Sequence, residues 1–446
     1  MSAAVPPSTP RANSADAQLL RAIGVPGLAA NIINSTIGAG IFVIPALVEK
    51  GLGAAAPFAF VVTAIALFFF VTCFAIAGSR VSLTGGLYAY VEVAFGRYIG
   101  FCGGLLFYLT AVLSVAGVVN VFAGTVGKLA PLLANPAGRF AVIFAVYAVL
   151  ALINIRGVRA GAGAVAGVTL VKLIPLLIFV IAGIFFIKPQ TLAWPGFPSS
   201  KALGESVLLL VFAFTGIEVA LVPSGEVKNP ARTVPRAIYL ALAITTLLYV
   251  LIQLIAQGTL GPALGQNSIS PLAEAAGTFL GNFGRVLMLA GATISAFGFV
   301  TSDILSSPRI LFAFGRDGVL PKWFAHVHPR HHSPDVAIAI YALIAFVFSI
   351  SSSFESLAIM ANVAVLLLYL LCCAAAWELM RRDVRSDGQP FHVPGAQFFP
   401  IASIVIILWI LAHATAREFI VNGVVLAVGS IFYFGRSLFR RRTAGA

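Results

Sequence analysis

Lys172, Glu218 and Asp303 are ionisable side chains set inside long apolar stretches of this 446-residue chain. An acid at the centre of a membrane span costs about 2.5–3.5 kcal/mol on insertion scales, so such residues as a rule face a cavity and serve a function. Lys172 stands in Val168-Thr-Leu-Val-Lys-Leu-Ile-Pro175, about a dozen residues from either expected helix end. At 1.5 Å per residue that is roughly 15 Å or more, too deep for the ammonium to snorkel out. A lone ammonium there can exchange a proton, or it can take the place of a bound cation and bridge helices by hydrogen bonds. Glu218 can exchange a proton or cap freed peptide N–H groups, and the two roles are compatible. Asp303, in Val300-Thr-Ser-Asp-Ile304, either lines a polar pathway or is a solvated acid near the end of its helix.

The backbone around these residues carries the second chemical signal. Asn31-Ile-Ile-Asn-Ser-Thr-Ile-Gly-Ala-Gly-Ile-Phe42 and Phe212-Ala-Phe-Thr-Gly-Ile-Glu218 place glycine and small polar residues where a spanning helix should be solidly apolar. Exposed peptide groups at mid-depth are tolerated only where they line a cavity or hold a ligand. Around Gly38, Ala39 and Gly40 a second half-helix should start near Ile41, and its free N–H groups and positive dipole end suit a carboxylate. Across Phe212, Ala213, Phe214, Thr215 and Gly216 a first half-helix should end, and its free C=O groups suit an ammonium. A site that accepts both signs side by side fits the zwitterion of an amino acid. Two packed kinks would be the competing explanation, and the matched placement of the breaks in the two halves favours the site.

The elements that hold these residues are helices in lipid. The chain is 60% hydrophobic and 10% charged, against about 25% charged in a soluble domain. A span needs roughly 20 apolar residues, and twelve can be placed, making an all-α integral membrane protein. Of the 28 Lys and Arg residues, 20 fall on the inner side of that topology and 7 on the outer, with Lys172 inside a span. The positive-inside rule therefore puts both termini in the cytoplasm and the protein in the cell membrane. The net charge of +13 sits at the lipid boundary and implies no nucleic acid. Residues 1–18 read as a disordered cytoplasmic tail, 19–440 as one transmembrane domain, and 438–446 as a basic tail. Within the domain, 19–190 and 204–382 each begin with a broken helix, the pattern of an inverted repeat of five plus five spans, and 395–437 add two more. Cys73, Cys102, Cys372 and Cys373 fall in spans without metal-site spacing and read as small hydrophobes. His326, His328, His331 and His332 share a loop with Asp335, without the fixed ligand geometry a metal site requires. No metal or cofactor is expected, and no catalytic constellation or filter-like loop points to an enzyme or a channel. Gly163-x-x-x-Gly167 should let a neighbouring helix approach closely.

Several motifs together resemble the amino acid–polyamine–organocation (APC) superfamily of permeases, whose members share the LeuT-type fold. They are Gly38-Ala-Gly-Ile-Phe42 with Pro45, Leu83-Thr-Gly-Gly-Leu-Tyr-Ala-Tyr90, Gly225-Glu-Val-Lys-Asn-Pro-Ala-Arg-Thr-Val-Pro-Arg-Ala237, and Arg309 followed by Gly315-Arg-Asp-Gly-Val-Leu-Pro321. The resemblance implies helices 1 and 6 broken at these positions and a substrate, amino acid or polyamine, between them. It implies amides of Gly38, Ala39 and Gly40 on the carboxylate, carbonyls near Ile37 and Phe212–Phe214 on the amine, and Phe212 as an aromatic gate. Lys172 matches the lysine that stands in for sodium in proton-coupled members, which makes proton symport the expected mode and an exchanger of the same fold the alternative. Ala39 departs from the family's serine and removes one hydroxyl from the carboxylate site. With no pocket acid assigned to a cationic substrate, small or apolar neutral amino acids are the default ligand.

Overall fold

The computed structural model describes residues 23–81, 86–156, 161–218, 221, 227–266, 269–316, 318–385 and 389–443, with the side chains of 161–171 and 436–443 outside the description. Among the described residues the chain is helical, apart from one isolated parallel bridge between Ile23 and Val227. In chain order the helices begin with α1 (Val25–Thr36), α2 (Ile44–Leu52), α3 (Ala56–Arg80), α4 (Leu87–Phe95) and α5 (Arg97–Leu129). Then come α6 (Pro136–Arg156), α7 (Gly161–Gly183), α8 (Ser200–Phe214), α9 (Pro230–Leu260) and α10 (Pro271–Ser306). The last are α11 (Pro308–Arg316), α12 (Asp335–Ser351), α13 (Phe354–Arg381), α14 (Phe398–Leu411) and α15 (Ala416–Thr443).

Among the described residues, seven helical stretches are long and apolar enough to cross a membrane: Ile44–Arg80, Arg97–Leu129, Pro136–Arg156, Pro230–Gln266, Pro271–Arg316, Phe354–Arg381 and Ala416–Gly435. Lys172–Phe186, Asp335–Ser351 and Phe398–Leu411 are shorter apolar helices. α1 and α8 are short because the backbone interrupts them. α1 stops at Thr36, Gly40–Phe42 form a single 3-10 turn, and α2 begins only at Ile44. The second half-helix therefore starts three residues later than Ile41, with Pro45 in its first turn, where a missing N–H costs nothing.

Packing sorts the helices into two groups. α1 and α3 lie on α9, and α2 lies on α8 and α3. On the other side α5 packs on α10 and α12, and α6 on α12. α13 touches both α5 and α3, and α7 touches both α10 and α9, so these two join the groups. The start of α1 is pinned to the first group by the Val227-Lys228-Asn229-Pro230 segment, where the Lys228 N–H donates to the Ile23 carbonyl at 2.9 Å. Asn229 adopts a left-handed conformation (φ 45°) and Pro230 opens α9 directly after it. Residues 82–85, 222–226 and 317, which carry parts of three family motifs, lie outside the described residues, as does the Gly163/Gly167 side-chain packing. Cys73, Cys372 and Cys373 are buried and, like Cys102, free. In the histidine loop, His326 Nδ1 pairs with Asp335 Oδ1 at 2.7 Å.

Candidate functional site

The two breaks meet. Gly216 has φ 120°, a conformation open to glycine and strained for other residues. A Cβ at that position would overlap the Ser35 carbonyl and lie 3.0 Å from the Thr36 nitrogen. The second break thus lies backbone to backbone against the end of α1, and a side chain of any size would separate them. Phe212 closes one side of this junction. Its ring lies 3.1 Å from where a Gly40 Cβ would be and stacks edge-on against Phe354 of α13, with centroids 5.4 Å apart.

At the first break the loose carbonyls of α1 are taken by side chains from other helices. Lys172 of α7 donates from Nζ to the Asn34 carbonyl at 2.6 Å. Tyr249 of α9 reaches the Thr36 carbonyl at 3.1 Å and the Ala213 carbonyl at 2.9 Å. One hydroxyl proton serves both acceptors, so Tyr249 is a shared clamp on the two breaks. The Gly38 N–H is spent locally on the Thr36 carbonyl at 2.9 Å. Gly40 and Ile41 open the 3-10 turn, and no preceding turn supplies acceptors for their N–H groups.

The second break is capped from within. Both oxygens of Glu218 accept from the Gly216 N–H, at 3.1 and 3.0 Å, and Tyr369 of α13 donates to Glu218 Oε2 at 2.7 Å. Glu218 is 2% exposed. Its carboxylate fills the capping role that the sequence left open beside proton exchange.

A cavity of about 1550 Å³ begins at this junction and runs between the two helix groups. Gly38, Ala39 and Gly40 line it from the first break, and Phe212, Ala213, Thr215, Gly216 and Glu218 from the second. Lys172 and Asp303 face the same space. Ile37 and Phe214 do not; their side chains are buried in the core, Phe214 against the Tyr249 ring, and they can contribute only main-chain atoms. Binding pockets usually hold about 300–1,000 Å³, so this is a pocket with a vestibule. The vestibule reaches Glu92 on α4, Arg97 at the start of α5, and Arg309 and Arg316 on α11. Glu92 thus faces the cavity.

Tyr249, Tyr369, Tyr341 and Phe354 escaped the sequence reading. One signal was present for Tyr249. Thr245, Tyr249, Gln253 and Gln257 recur every four residues in α9, the spacing of one helix face, and all four are buried.

Residues 23–434 match the family model described as amino acid permease. The chain belongs to this family of the APC superfamily. The permease is 27% identical over 422 residues to the serine/threonine exchanger SteT of Bacillus subtilis (strain 168), covering 89% of this chain and 92% of that protein. It is 24% identical to the branched-chain amino acid permease BcaP of the same organism, covering 95% and 94%. It is 27% identical to an arginine/agmatine antiporter of Chlamydia pneumoniae, covering 92% and 89%. The permease is therefore a multi-pass membrane transporter for amino acids and not an enzyme.

Proposed function

We propose that this permease is a secondary active transporter that imports an amino acid together with protons across the cell membrane, by alternating access. The seven long stretches, the three shorter apolar helices and the two interrupted ones are consistent in number with the twelve spans of a LeuT-type fold, two inverted sets of five plus two. The distribution of Lys and Arg supports cytoplasmic termini, and the vestibule beside Arg97, Arg309 and Arg316 then opens inward. The amino acid's carboxylate lies at the amides of Ala39 and Gly40, since the Gly38 N–H is spent on the Thr36 carbonyl, and its ammonium at the carbonyls that flank the breaks.

The observation that carries this reading is the 2.6 Å bond from Lys172 Nζ to the Asn34 carbonyl. A charged donor holds an acceptor more strongly than a neutral one. Protonated Lys172 therefore fixes the end of α1 against α7, and loss of the proton loosens α1. Proton release to the inside is thereby linked to movement of the helix that forms half of the substrate cradle. Glu218 holds the other half through Gly216 and Tyr369. Uptake into liposomes with an inward acid gradient tests this: the wild type should accumulate substrate above equilibrium and Lys172→Ala should not, while undiminished accumulation by the variant removes the coupling role.

Likeness to the serine/threonine exchanger and the arginine/agmatine antiporter favours a second reading, an obligate exchanger. Such a protein would move nothing into vesicles that contain no internal substrate, whereas the symporter fills them.

A further inference from the structure

Asp303, like Glu92 at the vestibule, is a cavity acid that neither break uses. It sits on α10, half-buried in the wall of the vestibule. Its two oxygens are held by neutral donors: Ser307 Oγ donates to Oδ1 at 2.7 Å and the Tyr341 hydroxyl to Oδ2. Tyr341 is fully buried on α12 and packs edge-on against Tyr108 of α5, with ring centroids 5.8 Å apart. Three helices of one packing group thus fix the position of this carboxylate. Neutral hydroxyls orient a carboxylate without cancelling its charge, and a carboxylate offers about four acceptor sites, of which these bonds use two.

Among the described residues, Glu205 is paired with Lys201, Glu274 with Arg285, Asp335 with His326, Glu378 with Arg381 and Arg382, and Asp383 with Arg80 and Arg385, whereas Glu218 and Glu418, like Asp303, accept from neutral donors. Among the described residues no such base pairs with Asp303. Of the cavity's own cations, Lys172 is engaged by Asn34, and Arg97, Arg309 and Arg316 line the region of α5 and α11. A second acceptor lies open nearer the breaks, since Asn34 Oδ1 is buried without a partner and Asn34 lines the same cavity.

The position of Asp303 relative to the cradle defines what can reach it. Phe299, one turn earlier on α10, lies 4.0 Å from where a Gly38 Cβ would be. Asp303 is four residues further along the same face, about 6 Å of helix rise. The four-carbon stem of a lysine side chain is of similar length.

We propose that Asp303 is a recognition site for a primary ammonium or guanidinium group, carried on the side chain of an amino acid whose zwitterion lies at the breaks. This inference rests on the amino acid site proposed above. It moves the expected substrate from small apolar amino acids to cationic ones, and it makes Tyr341 and Ser307 positioning residues for that selectivity.

The test is equilibrium binding of lysine, norleucine and cadaverine to the purified permease in lipid nanodiscs. Norleucine keeps the zwitterion and chain length of lysine without the terminal charge, and cadaverine keeps the amines without the carboxylate. A hydrogen bond to a charged group corresponds to a preference of about tenfold or more. Lysine should therefore bind at least that much more tightly than norleucine. Asp303→Asn should collapse the ratio, and Asp303→Glu should retain most of it. Cadaverine bound with the same dependence on Asp303 would support the cation site and identify a free amine as its ligand. Equal affinity for lysine and norleucine in the wild type, or a ratio unchanged by Asp303→Asn, overturns the inference while leaving the amino acid site standing. Absence of binding by any amino acid overturns both. The wild-type comparison decides even if the Asn variant does not fold.

Discussion

The two broken segments do the same geometric job with opposite means. The first, around residues 37–39, is held by donors from elsewhere in the chain, Lys172 on α7 and Tyr249 on α9. The second, at residues 215–218, is held largely by its own Glu218, braced by Tyr369. A self-capped break keeps its shape when its neighbours shift, whereas a break capped from outside changes when its donor moves or changes charge. On the proposed transport cycle, this difference would make α1 the moving part and the Gly216–Glu218 turn the fixed one. Tyr249 hydrogen-bonds to both breaks, so a change at one is carried to the other through its hydroxyl as well as through their direct contact.

The largest disruption should come from adding a side chain where the breaks touch. Gly216→Ala places a methyl group against the Ser35 carbonyl at φ 120°, and strain and overlap together amount to about 3 kcal/mol. Its thermal unfolding in detergent should fall well below that of the wild type, and an unchanged melting temperature would mean the breaks are not in contact. Lys172→Ala should come next in effect on transport. It leaves the Asn34 carbonyl without its charged donor and should lose gradient-driven accumulation, while the protein stays monodisperse on gel filtration. Tyr249→Phe removes one hydroxyl shared by two carbonyls, with a cost of about 1–3 kcal/mol for the acceptors left bare. Amino acid affinity should fall about tenfold in isothermal titration, and a wild-type affinity would strip Tyr249 of its bridging role. The smallest change is expected for Glu218→Gln, which keeps an acceptor for the Gly216 N–H. Its uptake should show an altered pH profile at near-normal folding, and a profile identical to the wild type would leave Glu218 as a cap alone.

The same contrast explains what could be read without coordinates. Both breaks were legible because glycine and small polar residues in an apolar run have few explanations in lipid. Lys172 was legible because a lysine so deep in a span cannot escape by snorkelling. The Gly38–Phe42 and Lys228–Pro230 patterns made the family visible as well. The partners of these groups were not legible. Tyr249, Tyr341 and Tyr369 lie in apolar helices, where a tyrosine reads as core or interface, and their meaning depends on which helix docks opposite. The four-residue polar spacing of α9 was the only local hint. Asp303 stayed balanced between a pathway and a solvated end because Tyr341, which holds it, lies 38 residues away on another helix. The late start of α2 went unseen because a 3-10 turn has no distinct hydrophobic period over three residues.

On the proposed mechanism, a proton on Lys172 governs the grip of α7 on the end of α1 while an amino acid occupies the junction. Proton flux into proteoliposomes, followed with an internal pH dye during amino acid uptake, tests it most directly. Substrate addition should drive acidification of the lumen by the wild type and none by Lys172→Ala. Equal acidification by the two proteins would contradict the account.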